Sequence, residues 1–316
     1  MMNAQRDWIP ILLVPVLMLA ALIAVGAPST WLTLSVAGLA MGMIIFLMAS
    51  GLTLVFGLMD VLNFGHGLFI ALGAYIATSV ALGGGIGSVA LAMLLAMLAA
   101  GLLGIVFERL IVRPVYGQHL KQILITMGGM IIGEELIKVV WGPLQIALPP
   151  PAMLQGSLVV ADAAIEKYRL FAVLVGLLVF AVQAWILTKT KLGLLIRAGV
   201  QDREMVEALG YRIQRLFLGV FAVGSALAGL GGVMWGLYQQ NVVPQIGTQV
   251  NVLIFIVIII GGLGSTAGAL IGALLVGLMA NYTGYLMPKL ALFSNIALMA
   301  LILMWRPYGL YALARH

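Results

Sequence analysis

The 316 residues are 63% hydrophobic and only 8% charged, against about 25% charged in a soluble domain. So apolar a chain has too little polar surface to face water on all sides, which excludes a soluble globular fold and makes lipid its solvent. The net charge of +6 therefore reports orientation in a membrane rather than nucleic-acid binding, and with no cysteine there are neither disulfides nor thiolate metal sites.

Apolar runs of about 20 residues, each long enough for a ~30 Å hydrocarbon core, recur along the chain. A span must satisfy its own backbone groups, so these runs are expected to be helices. They stay apolar throughout instead of alternating with polar residues, which argues against a β-barrel. The expected fold is all-α: a polytopic transmembrane bundle forming a single permease-like domain over 1–316. Ten candidate spans fall near 9–27, 32–57, 67–82, 88–108, 122–141, 169–188, 215–238, 248–266, 269–287 and 291–305. The third and last are short, so eight to ten of them cross.

The first run, Trp8 to Ala27, follows Arg6 like the core of a signal peptide. It is long, however, and the next run starts at Trp31 without a small-residue cleavage site, so it reads as a retained span. With both termini cytoplasmic, twelve lysines and arginines fall on the inner side, against Lys138, Lys167, Arg169 and Lys289 outside. That is the positive-inside pattern.

Between the second and third spans, Asn63-Phe64-Gly65-His66-Gly67 interrupts an apolar region with glycines and hydrogen-bonding side chains. Irregular backbone within a membrane survives only when packed in protein or facing water. A later interruption, Gly261-Gly262-Leu263-Gly264-Ser265-Thr266, pairs with it. Paired breaks in corresponding halves point to a transport path, while a plain cytoplasmic turn accounts for the first cluster equally well. Glu108-Arg109 ends the fourth span as an expected interfacial anchor. In the fifth, Glu134 and Lys138 have the i, i+4 spacing of a helix ion pair, with Glu135 beside them and Trp141 marking an interfacial end. His119 and His316 have no ligand partners nearby in sequence, so no metal site and no cofactor are expected. Nor is there a nucleophile–base–acid arrangement, and the chain reads as a transporter rather than an enzyme.

The outer loop near 142–168 carries Pro149-Pro150-Pro151 and few charges and reads as an ordered cap. The inner loop near 189–214, KLGLLIRAGVQDREMVEALGYRIQ, is the one strongly charged stretch. A short helix is expected from Val200 to Leu209, with Met205, Val206, Ala208 and Leu209 on its apolar side. Asp202, Arg203, Glu204 and Glu207 form its polar side, and Gly210 stands at the C-cap position. Pattern alone leaves two uses open: an interfacial helix lying on headgroups, or a knob that docks into a cytoplasmic partner. There is no GxxxxGK[ST] phosphate loop, so any ATP-driven motor is a separate chain.

Three blocks carry a family resemblance. Gly193 to Gly236, with Gly193, Arg197, Ala198, Gln201, Asp202, Ala208 and Gly210 in register, is similar to the coupling region of LivH-type branched-chain amino-acid ABC permeases. Gly51 to Ala77, with Asn63-Phe64 and His66-Gly67 aligned, and Gly261 to Gly277 resemble the family's other signature blocks. The resemblance spans nearly the whole chain. It implies a type II-like importer permease of the bacterial inner membrane, paired with a paralogous (or identical) second permease. Two cytoplasmic ATPases and a periplasmic binding protein complete that picture, with Arg197, Gln201, Asp202, Arg203, Glu204, Glu207 and Gly210 on the segment that meets the ATPase. The implied cargo is a branched-chain amino acid or a similar small solute, such as urea, a short amide or an aromatic acid. Two other readings compete. An ion-coupled secondary transporter requires a carboxylate deep in a span, for which Asp60 comes closest, and a small-solute channel would use polar half-helices.

Overall fold

A computed structural model describes residues 8–80, 85–201 and 203–311. The first two helices, α1 (Ile9–Val25) and α2 (Pro28–Met59), are followed by α3 (His66–Val80) and α4 (Ile86–Phe107). A π-helical turn (Glu108–Val112) and a 3-10 turn prolong α4 towards α5 (His119–Trp141). Short strands β1 (Ile146–Ala147), β2 (Ser157–Val160) and β3 (Ala163–Glu166) lead to α6 (Lys167–Lys189), α7 (Lys191–Gln201) and α8 (Arg203–Ala208). Next come α9 (Ile213–Gln239), β4 (Asn241–Val242), α10 (Ile246–Gly261), α11 (Thr266–Leu286) and α12 (Ala291–Trp305).

Every expected span is thus a helix, but the helices are of unequal rank. Among the described residues, five segments are long and apolar enough to cross a membrane: Pro28–Met59, Ile86–Val115, Lys167–Lys189, Ile213–Gln239 and Thr266–Leu286. Four apolar helices are shorter, among them α3 and α10. At 1.5 Å per residue, α3 with 15 residues and α10 with 16 reach only about 22–24 Å, less than a ~30 Å core. The helix α5 carries Lys121, Glu134, Glu135 and Lys138 and stands apart from both sets.

The two central helices, α2 and α9, are largely buried, whereas α4 and α6 turn most of their surface outward. Small residues let the backbones approach, as membrane helices without a hydrophobic driving force between them require. Gly51 of α2 meets Gly224 of α9, and Gly73 of α3 meets Gly229 of α9. The first run joins this bundle: Ala21 of α1 packs with Leu278 and Tyr282 of α11, and Trp31 Nε1 donates to Met18 O at 2.8 Å. The expected cap is ordered too. Strands β2 and β3 form a hairpin whose turn residues Ala161 and Asp162 both have positive φ, β1 pairs with β4, and Leu148 is fully buried.

Candidate functional site

The break after α2 leads the chain back into the bundle as irregular backbone before α3 begins, rather than turning at the helix end. Asp60 closes α2 in the left-handed region, and α3 begins only at His66. His66 Nε2 lies 2.9 Å from Met48 O, eleven residues back along α2 from Met59, a distance of about 16 Å. Residues 60–65 therefore climb back beside α2 and start α3 deep inside the bundle, where Asn63 and His66 are each 1% exposed.

There α3 meets the start of α10. A Cβ on Gly67 would lie 2.6 Å from Gly247 O, and a Cβ on Gly247 would collide with Gly67 O. Two short helices thus cross at their first turns, backbone against backbone. Side chains from α5 and α10 take over the hydrogen bonds that the irregular segment lacks. Phe64 N donates to Thr126 Oγ1 at 3.1 Å, and Asn251 Nδ2 donates to Phe64 O at 2.8 Å. The Phe64 ring stacks on Phe255 with centroids 4.5 Å apart. Gly65 is wedged between Phe107 and Thr126, where a Cβ would have no room. Not every polar group is served: both side-chain polar atoms of Asn63 and Oδ1 of Asn251 are buried with no hydrogen-bond partner. Each unmade bond of this kind costs about 1–3 kcal/mol, which calls for a compensating use.

The second glycine segment lies elsewhere. Gly261, Gly262, Gly264 and Ser265 form the α10–α11 turn, packed on Gly57 near the end of α2 and on Gly309. Ser265 caps α11 by accepting from Gly268 N at 3.1 Å. The partner of the first break is the start of α10, not its end. Sequence reasoning missed Thr126, Asn251 and Thr248. Their signal was an isolated polar side chain in an apolar run, plain for Asn251 before VLIFIVIII.

Several charged residues also differ from expectation. Glu134 pairs with Lys138 at 3.2 Å as the spacing requires, but Lys138 also binds Glu135 at 2.7 Å. Glu134 further accepts from Thr248 Oγ1 at 3.2 Å, which ties the pair to the first turn of α10 at the crossing. Glu108 is no interfacial anchor: it is 3% exposed and accepts a hydrogen bond from Tyr116 Oη. The π-helical turn sets its register away from that of α4. A carboxylate is therefore buried in the bundle after all, while Asp60, the expected candidate, is partly exposed and lies 3.9 Å from His119. No group of three metal-ligating side chains occurs among the described residues.

The charged loop is helical over Lys191–Gln201 and Arg203–Ala208, so helix covers the described part of the expected Val200–Leu209 segment up to Ala208 and also extends before it. Gln201 lies in α7, Arg203 and Glu204 lie in α8, and Asp202 between them is outside the described residues. Of the four expected apolar positions only Val206 turns inward. Met205, Glu207, Ala208 and Leu209 are exposed, as is Tyr211 beyond. Gly210 is the expected cap: its φ is +85°, its N donates to Glu207 O at 2.9 Å, and Tyr211 N donates to Val206 O at 3.2 Å. Those two bonds are the Schellman pattern. Arg197 Nε reaches Gly193 O at 3.3 Å within α7.

A helical bundle of apolar helices with an irregular break at its centre and a charged segment at one end has the makings of a membrane permease. Residues 34–305 match the family of permease components of branched-chain amino acid transport systems, and the chain belongs to that family. It is similar to the permease proteins of high-affinity branched-chain amino acid transport systems. LivH of Escherichia coli is 29% identical over 86% of this chain and 92% of its own length. BraD of Pseudomonas aeruginosa is 28% identical over 86% and 93%, and LivM of Escherichia coli 27% identical over 86% and 69%. No solved structure matches.

Proposed function

We propose that this chain is the translocating subunit of an ATP-driven importer in the bacterial inner membrane. Its cargo is a branched-chain amino acid or a chemically similar small solute, and both its termini are cytoplasmic. The family match over residues 34–305 carries the reading. The transport systems named for its relatives support the cargo, and similarity to both LivH and LivM supports a paralogous second permease as partner. Two ATPase subunits beneath the bundle and a periplasmic binding protein above it complete the assembly.

The proposed path runs past the α3–α10 crossing, lined by Asn63, Phe64, Gly65, His66 and Gly67. The Asn63 amide and Asn251 Oδ1 offer unpaired polar atoms to a zwitterion, and Phe64 and Phe255 offer an apolar wall to its side chain. In the present conformation these groups are closed off, so separation of α3 from α10 would open the path. The Gly261–Ser265 turn is then the pivot below the path rather than its wall. The exposed side chains of Glu207, Met205 and Leu209 suit docking into an ATPase groove, and the α7–α8 segment carries the motor's motion to α9.

Reconstitution into vesicles tests the reading. Uptake is expected only with the ATPase subunits and ATP present, and uptake by this chain alone would favour an ion-coupled carrier or channel. Replacing Asp202 and Glu204 together by lysine is expected to abolish stimulation of ATP hydrolysis while leaving membrane insertion intact.

A further inference from the structure

Helices α6 and α9 touch at the end where Tyr168 Oη donates to Met234 O at 2.6 Å. Towards their other ends they part around a groove of about 690 Å³. Apart from Gln183 of α6, its walls are apolar: Leu54 of α2, Leu187 of α6, Ile196 of α7, and Leu216 and Val223 of α9. Gly219 leaves the α9 side open, since a Cβ there would meet nothing within 4 Å. At its mouth the groove adjoins a second, more polar recess of about 470 Å³. Both are bordered by Gly210, Tyr211, Arg212, Ile213 and Arg215, and Gln214 and Glu207 line only the recess. Neither Arg212 nor Arg215 forms an ion pair among the described residues.

An apolar slot and a polar recess that share two arginines make an amphiphile-shaped site. From Arg212 to Val223 is eleven residues of chain, about 16 Å along a helix, which equals the depth of one leaflet in a ~30 Å core. A soluble peptide would not match that length of mostly apolar wall, and a zwitterionic headgroup would leave a net positive charge where Arg212 and Arg215 share the recess with the single carboxylate of Glu207. We propose that this site holds an anionic phospholipid, one acyl chain between α6 and α9 and its phosphate on Arg212 and Arg215. Val206 of α8 also lines the groove, so the lipid touches the segment that precedes α9 and props it against the bundle. This assignment does not depend on the cargo or on the motor.

The full chain, purified in mild detergent, is incubated with phosphatidylglycerol or phosphatidylcholine, and retained lipid is measured by native mass spectrometry. Wild type is expected to keep phosphatidylglycerol in preference to phosphatidylcholine. The Arg212→Gln/Arg215→Gln variant is expected to retain it on the order of thirtyfold less strongly, each arginine near anionic lipid being a factor of about five. Gly219→Trp, which fills open space and keeps both arginines, is expected to remove the same adduct at an unchanged melting temperature. Equal retention of the two lipids, or phosphatidylglycerol surviving in both variants, overturns the assignment. So does full displacement by glycerol phosphate, because a headgroup alone would then suffice and the groove would be idle.

Discussion

The α3–α10 crossing and the α7–α8 knob both depend on glycine, and for opposite reasons. At the crossing, Gly67 and Gly247 are needed for what lies outside them: backbone stands where a Cβ would be. At the knob, Gly210 is needed for its own conformation, since φ is +85° and nothing lies within 4 Å of a Cβ. One region has no room and the other has no neighbours. In a lipid-immersed bundle the first governs how the helices assemble, and the second only how one short segment ends.

Substitutions can break that contrast. The largest effect is expected from Gly67→Leu or Gly247→Leu. Overpacking against flexible side chains costs about 1–3 kcal/mol, and here the obstacle is backbone that cannot yield. Loss of folded protein in detergent, read by size-exclusion profile and melting temperature, is the measurement, and a normal profile would show the helices free to part. Next comes Asn63→Leu. The amide it removes is unpaired, so the melting temperature is expected to hold or rise while uptake falls on the order of tenfold or more. Unchanged uptake would take Asn63 out of the path. His66→Leu removes the link to Met48 O and is expected to lower both quantities.

A smaller effect is expected from Met205→Glu with Leu209→Glu. Both side chains are exposed, so stability should stay within about 0.5 kcal/mol, while ATPase stimulation drops severalfold if the knob docks by its apolar side. The smallest belongs to Gly210→Ala, which strains one residue by about 1–2 kcal/mol. Thermal unfolding should barely register it, and an effect as large as that of Gly67→Leu would erase the distinction between the two regions.

Much of the fold was legible because lipid imposes a simple rule: a long apolar run must be a helix. All ten candidate spans became helices for that reason, and the Gly210 cap was readable because left-handed backbone selects glycine. What stayed hidden was long-range. Both Asn63–Gly67 and Gly261–Ser265 look alike as glycine-rich interruptions, yet one is irregular backbone inside the bundle and the other a turn at a helix end. The difference lies in whether His66 finds Met48 O. Glu108 read as an anchor because a charge at the end of an apolar run usually is one, and only the π-helical turn and Tyr116 bring it inside.

By itself, then, the sequence determined the solvent, the helices, the charged knob and its cap, since hydropathy and φ preference act locally. Only the tertiary structure decided which short helices meet, which polar groups stay unpaired and where the groove opens between α6 and α9. Those depend on approaches between segments far apart in the chain, more than a hundred residues apart where Gly67 meets Gly247, and no local pattern encodes such an approach.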